Sequence, residues 1–400
     1  MYKFQYYILN NIQYLLLALS LVSGAIVVIP FGTQIYMAGL FYLLCYSLIN
    51  RCNNWYFGRY YILFLIACLL SCIVSNSYNI RFFVFILIVV SFTPITISTK
   101  LFNFRKIYLK HCLLLFPIIA IVSLYCYIYN INYYAHVGNE LDFSALFPHS
   151  MWLGAAVGLS NIVTLWMMFS SKSRIGQLIC LIVLLLSIYV SVVAASRSAL
   201  FASLISMGVF IVVKLNNVIK ILIVGCLIFI ATIILLPTYL SGADRMKGKF
   251  QSSEGKYGSR TELFTSGFRH FKDTPFFGTG FAVSYNIKGE KIVGRLESGS
   301  GWLSILFQTG VFGFVVIFII ISKLYKVVYY MRRDNDLMLF VFAFAYLSLH
   351  SIFEGYILTV GYYPCILFWC LLGYLYTYPY FKERESLYII KKSSSINKHI

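Results

Sequence analysis

Residues 241–281 read SGADRMKGKFQSSEGKYGSRTELFTSGFRHFKDTPFFGTGF, and residues 297–313 read ESGSGWLSILFQTGVFG. They bracket the only long polar segment in a 400-residue chain that is 60% hydrophobic and 11% charged. Arg245, Arg260, Arg269, Asp273, Arg295 and Glu297 fall inside it. Outward from it in both directions, apolar runs of about 18 residues or more recur, the length that crosses hydrocarbon as a helix. The runs are continuous rather than alternating, which excludes a membrane barrel. Mean hydropathy is +0.82, which excludes an ordinary soluble domain. The expected fold is an all-α polytopic membrane protein with one large extracytoplasmic loop, and water-facing chemistry belongs in or beside that loop.

About twelve transmembrane helices are expected, near 11–30, 35–50, 60–76, 81–98, 108–130, 151–170, 176–195, 198–214, 218–240, 300–322, 337–357 and 360–380. The loop then lies between the ninth and tenth spans. Asn11 and Gln13 open the first run and no small-residue cleavage site follows it, so it reads as a retained helix, not a signal peptide. The expected divisions are an N-terminal bundle (1–240), the loop with an amphipathic helix (241–298), C-terminal spans (299–380) and a basic cytoplasmic tail (381–400). The net charge of +19 suggests nucleic acid until the charges are placed. Most of the 32 Lys and Arg then fall in short segments on one side of the membrane. By the positive-inside rule both termini are cytoplasmic and the loop is periplasmic or extracellular. No nucleic-acid partner is expected.

Nine of the ten cysteines lie in apolar runs, Cys52 lies in a short loop, and none falls in 241–298. That leaves no disulfide or thiolate–metal site there. Cys68 and Cys72, one turn apart without His or carboxylate nearby, read as packing residues. Residues 131–150, with His136, Glu140, Asp142 and His149, form a smaller outer loop, either a lid or a solvated hairpin.

Four groups carry candidate chemistry. Arg197 sits between two apolar runs among serines, Ser196 and Ser198. A guanidinium near hydrocarbon is costly, so it should face water or a partner, or else snorkel from a span end. Arg260 lies in TELFTSGFRHF and its flank, an amphipathic helix with Leu263, Phe264, Phe268 and Phe271 on one face. Ser259 and Glu262 make a capping-box pattern there, and Arg260 would sit among free backbone N–H groups that favour an anion. Asp273-Thr274-Pro275 stops this helix, and PFFGTGF makes a tight turn that no strand–helix unit flanks, so its glycines are not a nucleotide fingerprint. Glu297 is either a general base beside hydrocarbon or an acid that complements a helix dipole. His350 and Glu354, one turn apart, either orient a hydroxyl or make a polar contact between helices. Arginines with a carboxylate and a histidine on one side suit a pyrophosphate-linked substrate.

At these residues the chain resembles the O-antigen polymerase and ligase superfamily. The resemblance rests on Ser196-Arg197-Ser198-Ala199-Leu200 before a span, on Arg260 followed by a helix and the Pro275–Gly280 turn, and on Thr309–Gly313 in the next span. It covers mainly 190–315. It implies an enzyme of the bacterial inner membrane, a glycosyltransferase whose donor is a glycan on undecaprenyl diphosphate. It also implies that Arg197 and Arg260 hold the diphosphate, with Arg245, Arg269, Arg295, Ser196 and Ser198 assisting. The base would be Glu297, or His350 with Glu354. No cofactor and no metal are implied. Partners would be the lipid-linked glycan, membrane lipid and a chain-length regulator. Family ligases carry a histidine in the stretch that here reads Glu297-Ser298-Gly299-Ser300-Gly301. That departure favours a Wzy-like polymerase of O-antigen, capsule or exopolysaccharide over a ligase acting on lipid A core or protein. A polysaccharide flippase is the remaining alternative.

Overall fold

A computed structural model describes residues 2–52, 55–133, 143–215, 259–285, 291–293 and 299–396. The expected span at 218–240 lies outside these residues, as do Arg245, Arg295, Glu297, His136, Glu140 and Asp142.

The helices are α1 (Tyr2–Ser23), α2 (Gly32–Ile49), α3 (Trp55–Val74), α4 (Ile80–Phe92), α5 (Thr99–Ile128), α6 (Ser150–Ser170), α7 (Arg174–Val193), α8 (Arg197–Leu215), α9 (Ser259–Phe271), α10 (Gly301–Ser322), α11 (Tyr325–Met331), α12 (Asn335–His350) and α13 (Tyr363–Ile396). A three-pair antiparallel ladder joins β1 (Val283–Tyr285) to β2 (Lys291–Val293). Among the described residues seven helices are long and apolar enough to cross a membrane, and three more are apolar but shorter. Large apolar side chains line the outside of the bundle, such as Ile175, Leu178, Phe201 and Val209. That is the reverse of a water-soluble surface and suits contact with lipid. The chain is a helical membrane protein.

Helix α6 is the hub. Nearly every side chain from Leu153 to Trp166 is buried, and α5, α7, α8 and α12 pack around it. Lipid tails are as apolar as leucine, so close approach and buried polar contacts drive such packing. Glycine supplies the approach: a Cβ at Gly154 would meet Ser196 Oγ at 2.2 Å, and one at Gly158 would meet Tyr346 OH at 2.1 Å. Tyr346 OH in turn donates to Ala155 O at 3.3 Å, and Asn161 Nδ2 donates to Ser203 Oγ at 3.2 Å.

Three expected boundaries move. The span expected at 81–98 stops at Phe92, because Thr93 precedes Pro94 and takes extended dihedrals (φ −104, ψ 173). Its 13 residues make a helix about 20 Å long, short of a hydrocarbon core of about 30 Å. The carbonyls freed at its end still need donors. Thr96 Oγ1 donates to Val90 O, and Ser47 Oγ and Arg105 Nη2 both donate to Ser91 O. Second, α5 begins at Thr99 rather than near 108. Lys100, Arg105, Lys106 and Lys110 are therefore helical, and Arg105 is 2% exposed. Third, the helix expected to end near 380 continues into the tail, so α13 runs as helix to Ile396.

Helix α10 is broken. Gly310 has φ 69 and ψ −175 inside it. Non-helical backbone at membrane depth survives only where protein satisfies it, and the turn at 275–282 does so. Val311 N–H donates to Pro275 O at 2.9 Å and Phe312 N–H to Phe276 O at 3.2 Å. Thr279 N–H donates to Phe307 O at 2.8 Å. Gln308 takes part at both ends, its Oε1 accepting from Ala282 N–H at 2.9 Å and its carbonyl from Ser71 Oγ. The positive φ values of Gly278 (78) and Gly280 (113) are what let the turn enter the break. A Cβ on Gly278 would lie 2.5 Å from Gly310 N.

Candidate active site

The chain between α7 and α8 is a single tight turn. Ala194 N–H bonds Val190 O and Ala195 N–H bonds Val192 O, both at 2.9 Å, with Ala195 in the left-handed region at φ 51. A residue with a Cβ rarely adopts that conformation. It reverses the chain at once and starts α8 at Arg197. Ser196 O then accepts from Leu200 N–H at 3.1 Å. Arg197, exposed, therefore stands in a first helical turn, where the free N–H groups and the dipole also favour an anion.

A cavity of about 690 Å³ opens here. Ser196, Arg197, Ser198, Glu354, His149 and Ser150 supply its polar wall, and Leu200, Phe201, Leu204 and Phe353 much of its apolar wall. Phe201 (58%) and Leu204 (44%) are largely exposed. The cavity therefore borders the same apolar outer surface of α8 that carries Val209 and Val212. Glu354 is 7% exposed, and Ser198 Oγ donates to its Oε1 at 3.2 Å. Its backbone is held by the start of α10, where Gly301 N–H donates to Glu354 O at 3.0 Å and Ser351 O at 2.7 Å. Trp302 Nε1 donates to Ser348 O at 3.0 Å. A Cβ on Gly301 would meet Ile357 Cγ1 at 2.8 Å, so this approach requires glycine. His149 caps α6, its Nδ1 accepting from Met151 N–H at 3.1 Å. Tyr362 stacks on Trp152 at 4.3 Å and donates to Met151 O at 3.1 Å, which fixes the start of α6.

Of the expected site residues, the fold brings Ser196, Arg197, Ser198 and Glu354 to one cavity. His350 is not on its wall. Helix α12 ends at His350, where the Gly301 N–H takes the Ser351 and Glu354 carbonyls of the following turn, so the expected shared helix face with Glu354 does not form. The His350 ring is fully buried and lies between Tyr346 and Tyr356, each centroid 5.5 Å away. Arg269 is exposed on α9 and also lies off this wall. Arg260 occupies the first turn of α9, but its side chain, like all of Arg245, Arg295 and Glu297, lies outside what is described. Helix α9 packs on α10 through Phe268 and Phe271 against Phe307 (4.9 and 6.1 Å between centroids), as its apolar face predicts. His149 was legible only as part of an outer loop. The available signal was its place immediately before the apolar run of α6, the position a helix cap occupies.

Residues 182–318 match the O-antigen ligase family. The match covers about a third of the chain. It spans most of α7, all of α8 and α9, the 275–282 turn and the break in α10, so the motifs at Arg197 and Gly310 both lie within the matched segment. His149 and Glu354 come from outside it. Searches of curated proteins and of solved structures found no match. The match supports a role in assembling O-antigen or a related polysaccharide.

Proposed function

We propose that the protein polymerises oligosaccharide repeats carried on undecaprenyl diphosphate, at the outer face of the bacterial inner membrane. The observation that carries this is the cavity itself. A guanidinium at a helix start and a buried carboxylate share a wall that continues into Phe201 and Leu204 on the apolar surface. An anionic head with a long isoprenoid tail fits that sequence of surfaces, the head at Arg197 and the tail along α8. Both termini would be cytoplasmic, and the segment 241–298 would join the ninth of twelve spans to the tenth on the outer side.

In the reaction the acceptor sugar hydroxyl gives its proton to Glu354 as its oxygen attacks the anomeric carbon of the donor. The anomeric C–O bond to the lipid diphosphate breaks, and the diphosphate leaves with the bonding electrons. Arg197 neutralises the charge that develops, an electrostatic role. Arg260, in the first turn of α9, is a second diphosphate ligand, with Arg269, Arg295 and Arg245 supplying positive potential from the same loop. Ser198 holds one oxygen of Glu354 and so orients the carboxylate for the acceptor. Glu297 lies four residues before Gly301, whose N–H bonds Glu354 O, so it is the alternative base. The donor is already activated, so no nucleotide is required. The absence of histidine at 297–301 favours joining repeats over ligation to lipid A core or protein, and the family match gives the flippase reading no support.

The test is the surface-polysaccharide profile of a deletion strain complemented with wild type, Arg197→Ala or Glu354→Gln at matched expression. A deletion that leaves a single repeat attached, with neither variant restoring long chains, is the expected result. Long polymer stranded on its lipid carrier would make the protein a ligase. Loss of all lipid-linked repeats from the outer face would make it a transporter, and full restoration by both variants would move the site elsewhere.

A further inference from the structure

We propose that His149 is a second ligand for the anionic head of the bound lipid, donating from Nε2, and not a proton acceptor. This rests on the reading of the cavity as an anion site. A neutral imidazole has one N–H and one lone pair. In His149 the lone pair is committed, because Nδ1 accepts the Met151 N–H that α6 would otherwise leave unsatisfied. The proton therefore sits on Nε2. A ring held this way donates and has no lone pair with which to take a proton from a sugar hydroxyl.

The rest of the wall is of the same character. The first turns of α6 and α8 both border the cavity, through Ser150 and Met151 and through Arg197 and Ser198. Their backbone N–H groups add positive potential. Ser196 is 6% exposed and lines the cavity, and among the described residues its Oγ has no hydrogen-bond partner. That is an unexplained buried hydroxyl at the site. Among the described residues Glu354 is the one carboxylate on the wall, and it already accepts from Ser198. A guanidinium, an imidazole N–H and a hydroxyl make a set of donors that suits a ligand with several oxygen acceptors, such as a diphosphate. His149 reaches this wall from α6 while Arg197 reaches it from α8, so the head would be held from two helices.

Asparagine and aspartate separate this role from simple capping, because both cap a helix well and have the same shape. Full-length protein in detergent would be titrated with undecaprenyl diphosphate, inorganic pyrophosphate and undecaprenol, comparing wild type, His149→Asn, His149→Asp and Arg197→Ala. The expected result is weaker diphosphate binding in His149→Asn and a further loss of roughly tenfold or more in His149→Asp at low salt, from charge repulsion across a few ångströms. Undecaprenol binding should be unchanged throughout. A preference for the lipid over pyrophosphate would identify the head as part of a lipid and not a free anion. Equal affinities in His149→Asn and His149→Asp, or wild-type affinity in His149→Asn, would reduce His149 to a cap and overturn the proposal. Loss of undecaprenol binding alongside the diphosphate would do the same. Better turnover in His149→Asp than in His149→Asn would make it a base. If Arg197→Ala binds diphosphate as wild type does, the anion-site reading itself fails, a result separable from every outcome at His149.

Discussion

Arg105 and Arg197 are both arginines at the edge of hydrocarbon, and the fold treats them in opposite ways. Arg105 is 2% exposed, and its Nη2 donates to Ser91 O (2.8 Å), Thr96 O (2.9 Å) and Thr96 Oγ1 (2.8 Å). It replaces the helical donors that α4 loses at Pro94. Arg197 is exposed, begins a helix and borders a cavity open to the outer surface. One guanidinium is consumed by the backbone, and the other stands on the wall of a cavity. Burial near lipid therefore does not mark function by itself; what matters is whether the backbone needs the donors.

The largest expected effect comes from removing the Arg197 charge. Arg197→Ala should lower turnover of a lipid-linked donor by roughly 10² to 10³-fold while leaving the melting temperature of the purified protein close to wild type. A melting loss comparable to that of Arg105→Ala would break the comparison. Arg105→Ala should act the other way, costing about 3 kcal/mol through unsatisfied buried carbonyls. Thermal melting and steady-state protein level report it, and activity per folded molecule should be retained. Gly310→Ala sharpens a related point, that the break in α10 is structural and built for the 275–282 turn. Its positive φ and a Cβ only 2.2 Å from Phe276 O should cost about 2 kcal/mol, again seen in melting. The smallest effect belongs to Lys110→Met at the opposite end of the bundle. Lys110 pairs with Asp336 at 3.0 Å but is 38% exposed, so the loss should stay below about 1 kcal/mol. Double-mutant melting with Asp336→Asn would measure it.

Much of the site could be read from residue chemistry alone. Arg197 stood out because a charge beside apolar runs is expensive, and the 259–271 helix stood out by its period and caps. Arg105 does not stand out, because hydropathy starts the following span near 108 and places Arg105 outside it. Pro94 lies five residues upstream of α5, and its effect on the end of α4, which creates the need for Arg105, is a tertiary consequence that local hydropathy does not encode. The shared helix face expected for His350 and Glu354 does not form for a similar reason. Helical spacing assumes the helix continues, and the N–H of Gly301, from another helix, helps end it.

The sequence by itself determined that the chain is a helical membrane protein, that Arg197 stands between two apolar runs, and that a 259–271 helix is followed by a sharp glycine turn. Those features follow from hydrocarbon solubility, helical period and backbone dihedral limits, which act over a few residues. Only the tertiary structure decided that Glu354 and His149 share a wall with Arg197, and that the glycine turn fills a gap in α10. It also decided that Arg105 is spent on the backbone. Each of these depends on which buried N–H and C=O groups remain unpaired once helices from distant parts of the chain have packed.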